Sequence, residues 1–220
     1  MVNWLHSLFY DPARGWDPIS VQYAQEYGRI AAVDPQIVSR FVDTVGELRG
    51  KRVADVGSGP GHYSLEFARR GAEVTCVDIS RNYLAMIEAR MSHEGLSAHY
   101  ALGYMDSINR ITSGNFDALF SNVAWNYCMN DWSFARNLLQ AMRPGGVIMI
   151  RETNEAYVPR TGGYSRAVYW LNDTIGCKIG HPRPPHGRIA EAFRRAGPCE
   201  VSVDYSEPTV DIVTVRSASR

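Results

Sequence analysis

The residues best suited to chemistry stand in one short segment, Val53-Ala54-Asp55-Val56-Gly57-Ser58-Gly59-Pro60-Gly61-His62. An apolar run that opens through three glycines lets a ligand approach the main chain closely, because glycine tolerates positive φ and carries no Cβ. Where a helix starts after such a turn, its free N–H groups face an electron-rich ligand group. Asp78 ends a second apolar run, Glu73 to Asp78, 21 residues beyond Gly57, where a carboxylate can accept both hydroxyls of a ribose. The two segments together point to a cofactor that contains a nucleoside.

The glycine spacing narrows the choice. Dinucleotide-binding turns read G-x-G-x-x-G, whereas this one reads G-x-G-x-G with His62 next, which argues against NAD. Asp55, two residues before Gly57, suits an ammonium group better than a pyrophosphate. A tight turn that merely caps a structural helix is the competing reading; Asp55, Asp78 and the strand context weigh against it.

On these residues the chain resembles the class I S-adenosylmethionine-dependent methyltransferases over about residues 50 to 152 and again from 186 to 216. VADVGSGPGHYS is similar to their first motif, CVDIS to their ribose-binding strand end, NFDALFSNVAW to their fourth strand and LLQAMRPGGVIMIRE to the turn before their fifth. The resemblance implies S-adenosylmethionine as cofactor, with Gly57, Gly59 and Gly61 along its methionine part, Asp55 near its amino group, Asp78 on the ribose and Ile79 on the adenine. It also implies Met105 and Asp106 near the adenine amino group, although Tyr104 departs from the usual Gly-Asp-Ala pattern. Asn122, at the end of the fourth strand, joins the cofactor set. Ala24-Gln25-Glu26-Tyr27 resembles an Ala-x-x-Tyr element whose tyrosine meets the cofactor carboxylate, and core packing by Tyr27 competes with that role.

Methyl transfer is an in-line displacement that needs alignment, exclusion of water and, for a neutral nucleophile, a proton acceptor. Trp125, Asn126 and Tyr127 follow the fourth strand, where an acceptor would lie; the aromatic pair suits a cationic donor or a flat substrate, and plain packing is the alternative. The run Gly180-His181-Pro182-Arg183-Pro184-Pro185-His186-Gly187-Arg188 is stiffened by three prolines. His181 or His186 is therefore a candidate base, with Tyr127 a further catalytic candidate, and Arg183 and Arg188 are candidate anchors for an acidic group. A solvated lid loop is the rival reading. Asp131 is expected to be a helix N-cap, and no metal-ligand spacing occurs, so no metal is expected.

These residues need an α/β frame to position them. Strands are expected at Arg52 to Val56, Glu73 to Asp78, Ala98 to Leu102, Phe116 to Asn122 and Val147 to Glu152, with helices between them, which implies a doubly wound, Rossmann-like parallel sheet. Cys199 to Tyr205 and Thr209 to Val215 add a terminal antiparallel hairpin, making seven strands. Residues 1–49 read as a helical cap whose last helix, started by Asp34-Pro35, runs to Gly50. Residues 50–152 read as the cofactor-binding core and 153–185 as an inserted lid with a helix near Ser165 to Thr174. Residues 186–216 form a closing helix and the hairpin. A chain of 220 residues suits one domain.

Composition limits the function classes. Lys+Arg and Asp+Glu are both 23, so no overall positive field favours nucleic acid or an anionic membrane. The post-strand stretch lacks the Asn/Asp-Pro-Pro-Tyr/Phe of adenine and glutamine N-methyltransferases. Residues 178–195 form the one basic cluster, through Lys178, Arg183, Arg188, Arg194 and Arg195. A small-molecule acceptor methylated on oxygen or nitrogen is thus the leading expectation. A non-methylating enzyme that uses the same cofactor, a non-catalytic binding module and an RNA methyltransferase stay open. The four scattered cysteines, the absence of a signal-like start and the lack of a long apolar run predict a cytoplasmic protein with no membrane span. Nothing in the sequence sets an oligomeric state.

Overall fold

A computed structural model describes residues 16–30, 33–158 and 162–219, without the side chains of 27–30 and 162. Among these residues seven strands, β1 (Arg52–Val56), β2 (Glu73–Asp78), β3 (His99–Leu102), β4 (Phe116–Asn122), β5 (Met142–Thr153), β6 (Cys199–Asp204) and β7 (Val210–Ser217), form one sheet. Their spatial order is β3-β2-β1-β4-β5-β7-β6. β1 to β5 run parallel, and β7 lies antiparallel between β5 and β6. The fold is the expected α/β Rossmann-like one with a terminal antiparallel hairpin. Its order reverses between β1 and β4, and open α/β sheets bind ligands outside the carboxyl ends of the strands at such a switch point.

The helices are α1 (Asp17–Ile30), α2 (Pro35–Val45), α3 (His62–Arg69), α4 (Arg81–His93), the single turn α5 (Ile108–Ile111), α6 (Asp131–Ala141), α7 (Gly162–Ile175) and α8 (Arg188–Ala196). Strand residues alternate between two buried layers because successive side chains point to opposite faces of a sheet. Ala118 and Phe120 of β4 join Phe41 of α2, Phe67 of α3 and Ile87 of α4, whereas Leu119 faces Phe134 of α6 and Phe193 of α8. Phe41, Phe67 and Phe120 are each fully buried, and their ring centroids lie 4.7 to 5.4 Å apart. Truncating one of these rings to Ala costs roughly 3–5 kcal/mol.

Caps set the helix starts, and three boundaries differ from expectation. Asp34 caps α2 by accepting from the Gln36 amide at 2.9 Å, but the helix ends at Val45 and not near Gly50. Gly46 takes φ 84 there and donates to the Val42 carbonyl, which leaves Leu48 to enter the core from a linker. Asn130, not Asp131, caps α6, with its side chain accepting from the Ser133 amide at 2.8 Å. β5 starts at Met142, which pairs with Phe116 across a register shift, so the expected turn Pro144-Gly145-Gly146 lies within the strand.

Two segments close over the carboxyl edge. Asp17 of α1 accepts from Ser80 Oγ at 2.7 Å and, through its carbonyl, from Asn82 Nδ2 at 2.8 Å, so α1 docks on the start of α4. In the inserted segment α7 spans a little more than the expected Ser165 to Thr174, and Lys178 N–H donates to the Met129 carbonyl at 2.9 Å. No helix among the described residues is long and apolar enough to cross a membrane.

Candidate active site

A cavity of about 490 Å³ opens at the carboxyl ends of β1 to β5, a volume typical of small-molecule sites. Its lining comes from the glycine turn after β1, the ends of β2, β4 and β5, the loop after β3, the start of α1 and the inserted segment.

One half is built by the glycine turn and acidic side chains. Gly57 and Gly61 adopt φ 70 and 80, and a Cβ would lie 2.5 Å from Ala124 Cβ at the first and 2.4 Å from Ile87 Cγ1 at the second. At Gly59, φ 53, a Cβ would meet nothing within 4 Å, so the main chain is open to the cavity. Asp78 Oδ2 accepts from the Gly59 amide at 2.8 Å and Oδ1 from the Ser80 amide at 2.9 Å, which ties the end of β2 to the turn. Asp55 Oδ2 accepts from Ser64 Oγ at 2.5 Å.

Burial raises both carboxyls. Asp55 is pushed up to about 7, first by burial and further by the nearby Asp78 charge, with the Ser64 hydrogen bond opposing. Asp78 is pushed up to about 6 by burial, against the Ser80 and Gly59 amides that favour its anion. A cation placed beside them would relieve this cost. Ile79, Met105 and Asp106 line the same half. Asp106 is buried and raised to about 6 by burial, with Lys178 opposing; its carboxylate accepts from the Met129 amide at 3.0 and 3.3 Å. Asp106 thus anchors the loop that carries Tyr127.

The other half is formed after β4 and β5. Val123 takes φ 53, a costly conformation for a β-branched residue, and it leads into the turn Trp125–Tyr127. Asn122 Oδ1 accepts from Arg151 Nη1 at 3.2 Å. Asn126 lines the cavity with a buried Oδ1 that has no partner among the described residues. The Tyr127 ring meets Trp16 edge-on at 5.2 Å and His181 at 4.7 Å. Burial, then the Tyr23 hydroxyl, raises the Tyr127 phenol, so it stays protonated at neutral pH. His181 stands at the mouth with its pKa lowered by partial burial and by the Lys178 ammonium, so its ring is neutral there. Arg183 also lines the cavity, its guanidinium 4.5 Å over the Tyr157 ring.

Several expected site residues stand elsewhere. Trp125 is fully buried, packed on Phe134 and Phe193, with its Nε1–H donated to Asp131 at 2.8 Å; it is a core residue and not a substrate contact. Arg188 is spent on Asp131 and Asp173 and stacks over Trp132 at 4.1 Å, so it anchors α8 and no acceptor. His186 binds Asp211 at 2.8 Å and packs on Tyr205, away from the cavity, which corrects its candidacy as a base. The basic cluster at 178–195 is split: Lys178 and Arg188 are buried and share Asp131, whereas Arg194 and Arg195 are exposed, Arg195 pairing with Glu191 at the surface. Tyr27 lies on α1, and its side chain falls outside the described residues, as does the aromatic stretch before Trp16.

The cavity also holds residues that sequence reasoning missed: Trp16, Tyr23, Tyr83, Arg151 and Thr153. A signal existed for Arg151, a charge at the carboxyl end of an otherwise apolar central strand. None marked the aromatic residues, whose approach to the site depends on how α1 docks.

Residues 54–150 match a family model described as a methyltransferase domain. The chain is 28% identical over 159 residues to a ubiquinone biosynthesis O-methyltransferase of Azoarcus sp. strain BH72, covering 72% of this chain and 66% of that protein. It is 30% identical over 125 residues to a malonyl-(acyl-carrier protein) O-methyltransferase of Pseudescherichia vulneris, covering 57% and 48%. The chain thus spans between about half and two thirds of the length of these curated relatives. Among solved structures, an S-adenosylmethionine-dependent methyltransferase from Mesorhizobium loti superposes with a TM-score of 0.63 at 20% identity over 84% of this chain and 98% of that one. The cyclase SpnF superposes with a TM-score of 0.62 at 19% identity over 84% and 82%, so the fold alone does not fix the reaction. The sheet order and glycine turn are those of the class I S-adenosylmethionine-dependent methyltransferases, and the match over residues 54–150 and the methyltransferase relatives support that superfamily and imply S-adenosylmethionine as cofactor.

The cavity fits that cofactor. Gly59 leaves room where a Cβ would stand, Ser58 Oγ is buried without a partner among the described residues, and two carboxyls with raised pKa flank the turn. A ligand that carries both an ammonium and a sulfonium charge answers the last feature.

Proposed function

We propose that the protein transfers a methyl group from S-adenosylmethionine to a small-molecule acceptor. The observation that carries this reading is a single cavity with the glycine turn and Asp78 at one end and the Tyr127–His181 pair at the other. The cofactor, when bound, supplies a sulfonium methyl carbon open to in-line attack. The Gly57–Gly61 turn and Asp55 hold its amino-acid end, Asp78 its ribose, and Ile79 and Met105 the adenine side, while Asn122 at the end of β4 borders the cofactor from the other half of the cavity. Asp106 acts on the loop after β4 through the Met129 amide.

On the acceptor side, Asn126 Oδ1 takes a hydrogen bond from the acceptor, and the Tyr127 ring sets its plane. His181, neutral because its pKa is lowered, removes the proton from an O–H or N–H group as the new bond forms. Trp16 and the inserted segment exclude water. Both relatives named above are O-methyltransferases, which favours oxygen as the acceptor atom. The four free thiols, Cys76, Cys128, Cys177 and Cys199, favour a reducing compartment such as the cytoplasm. We also read the chain as one domain, with residues 1–49 as cap and 153–185 as lid.

The test has two parts. Calorimetry should show S-adenosylhomocysteine binding with no comparable NAD binding, and equal NAD affinity would sink the cofactor assignment. Incubation with methyl-deuterated S-adenosylmethionine and a panel of phenols, carboxylic acids and amines should yield a deuterated product with S-adenosylhomocysteine. Cofactor binding without methyl transfer to any class in the panel would refute the reaction.

A further inference from the structure

Charge is sorted within the cavity. The buried lining carboxylates Asp55, Asp78 and Asp106 stand at or just after the ends of β1, β2 and β3, and Asp34 is committed to capping α2. On the β5 side of the switch point stand two guanidiniums, Arg151 near the end of β5 and Arg183 in the inserted segment. Neither forms an ion pair with a carboxylate among the described residues. The Nε of each is buried without a hydrogen-bond partner among those residues. Arg151 has spent one Nη on Asn122, while the face of Arg183 is stacked on Tyr157. Stacking occupies the face of a guanidinium and leaves its in-plane N–H donors free. Glu152, the neighbour of Arg151, points to the other side of the sheet and accepts from the Trp125 and Thr153 amides.

A half-buried guanidinium whose Nε–H is shut off from water without a partner is costly unless an anion completes it, and a planar carboxylate matches its fork. We propose that the acceptor carries a carboxylate bound by Arg151 and Arg183, which presents its nucleophilic atom beside His181. This rests on the methyltransferase reading above and adds the acceptor's chemical class. The acid half of the cavity then holds the cationic cofactor and the arginine half the anionic acceptor.

The experiment measures, on protein saturated with S-adenosylhomocysteine, the binding of acetate, benzoate and 4-hydroxybenzoate against their neutral methyl esters. At least one carboxylate should bind about tenfold or more tightly than its ester. Arg183→Met and Arg151→Met should each remove most of that preference while S-adenosylhomocysteine affinity stays within about twofold, and Arg183→Lys should retain part of it. The proposal is overturned if no carboxylate outbinds its ester. It is also overturned if the arginine variants weaken S-adenosylhomocysteine as much as the carboxylate, since the arginines would then hold the cofactor's own carboxylate. Wild-type protein that prefers carboxylates yet binds no S-adenosylhomocysteine would refute the methyltransferase reading and leave the anion site standing. Thermal unfolding of each variant confirms that it is folded.

Discussion

The His181 imidazole lies 4.7 Å from the Tyr127 phenol ring, centroid to centroid, so the inserted segment touches the turn that follows β4. Trp16 meets the same phenol from α1 at 5.2 Å. Three parts of the chain far apart in sequence therefore converge on one ring at the acceptor end of the cavity.

His181→Ala should lower kcat by roughly 10²- to 10⁴-fold with S-adenosylhomocysteine affinity unchanged. Because burial and Lys178 lower the His181 pKa, kcat of the unaltered enzyme should rise with pH through a value below the ordinary 6.5 and level off above it. His186→Ala, by contrast, removes a contact to Asp211 outside the cavity and should leave kcat within about twofold. A large loss in the second variant alone would reverse the assignment. Steady-state kinetics across pH 5 to 8 separate these outcomes.

Cofactor affinity should depend on pH with a definite sign. Asp55 and Asp78 have folded-state values of about 7 and about 6, above their ordinary range because of burial. The unliganded fold thus binds protons that the unfolded chain releases, and these two groups stabilise it increasingly as pH falls from above 7 toward about 4. A cationic ligand favours their ionised forms, so S-adenosylmethionine should bind more tightly as pH rises through 6 to 7 and should release protons. Calorimetry in two buffers of different ionisation enthalpy measures the release; proton uptake would contradict the placement of Asp55 and Asp78.

The glycines of the turn should separate by role. Gly59→Ala adds a Cβ to open space, so it should cost only the left-handed backbone penalty, about 1–2 kcal/mol, while sharply weakening S-adenosylhomocysteine binding. Gly61→Ala drives a Cβ to 2.4 Å from Ile87 and should lower Tm more than the Gly59 variant does. Paired melting curves and calorimetry would show the split.

Lys178→Met should destabilise the fold strongly. Its side chain is 1% exposed, and its ammonium donates to Asp131 at 3.1 Å, Cys128 Sγ at 3.0 Å and the Trp125 carbonyl at 3.3 Å. Breaking a buried pair costs roughly 3–5 kcal/mol, and the loss should fall toward the lower figure because Arg188 still partners Asp131. Denaturant unfolding tests this, and a change under about 1 kcal/mol would mean that the pair contributes little.

What the amino-acid sequence determined by itself is local. Gly57, Gly59 and Gly61 are legible because a positive φ is a property of the residue, and Asp78 because the end of an apolar run marks the end of a strand. The layer order follows from alternating periods, which report burial on both faces of the sheet. The boundaries at Gly46, Asn130 and Met142 slipped by a few residues, since neighbouring glycines and capping side chains compete at nearly equal cost. The roles of Trp125, Arg188, His186 and Arg151 were decided only by the tertiary structure. Trp125 and Arg188 looked like site residues until both were brought to Asp131, and His186 until β7 delivered Asp211. Arg151 became a site residue because β5 pairs with β4 and sets it opposite Asn122 on the cavity wall. A charged or aromatic side chain takes its meaning from its partner, and partners tens of residues away are chosen by the packing of the sheet.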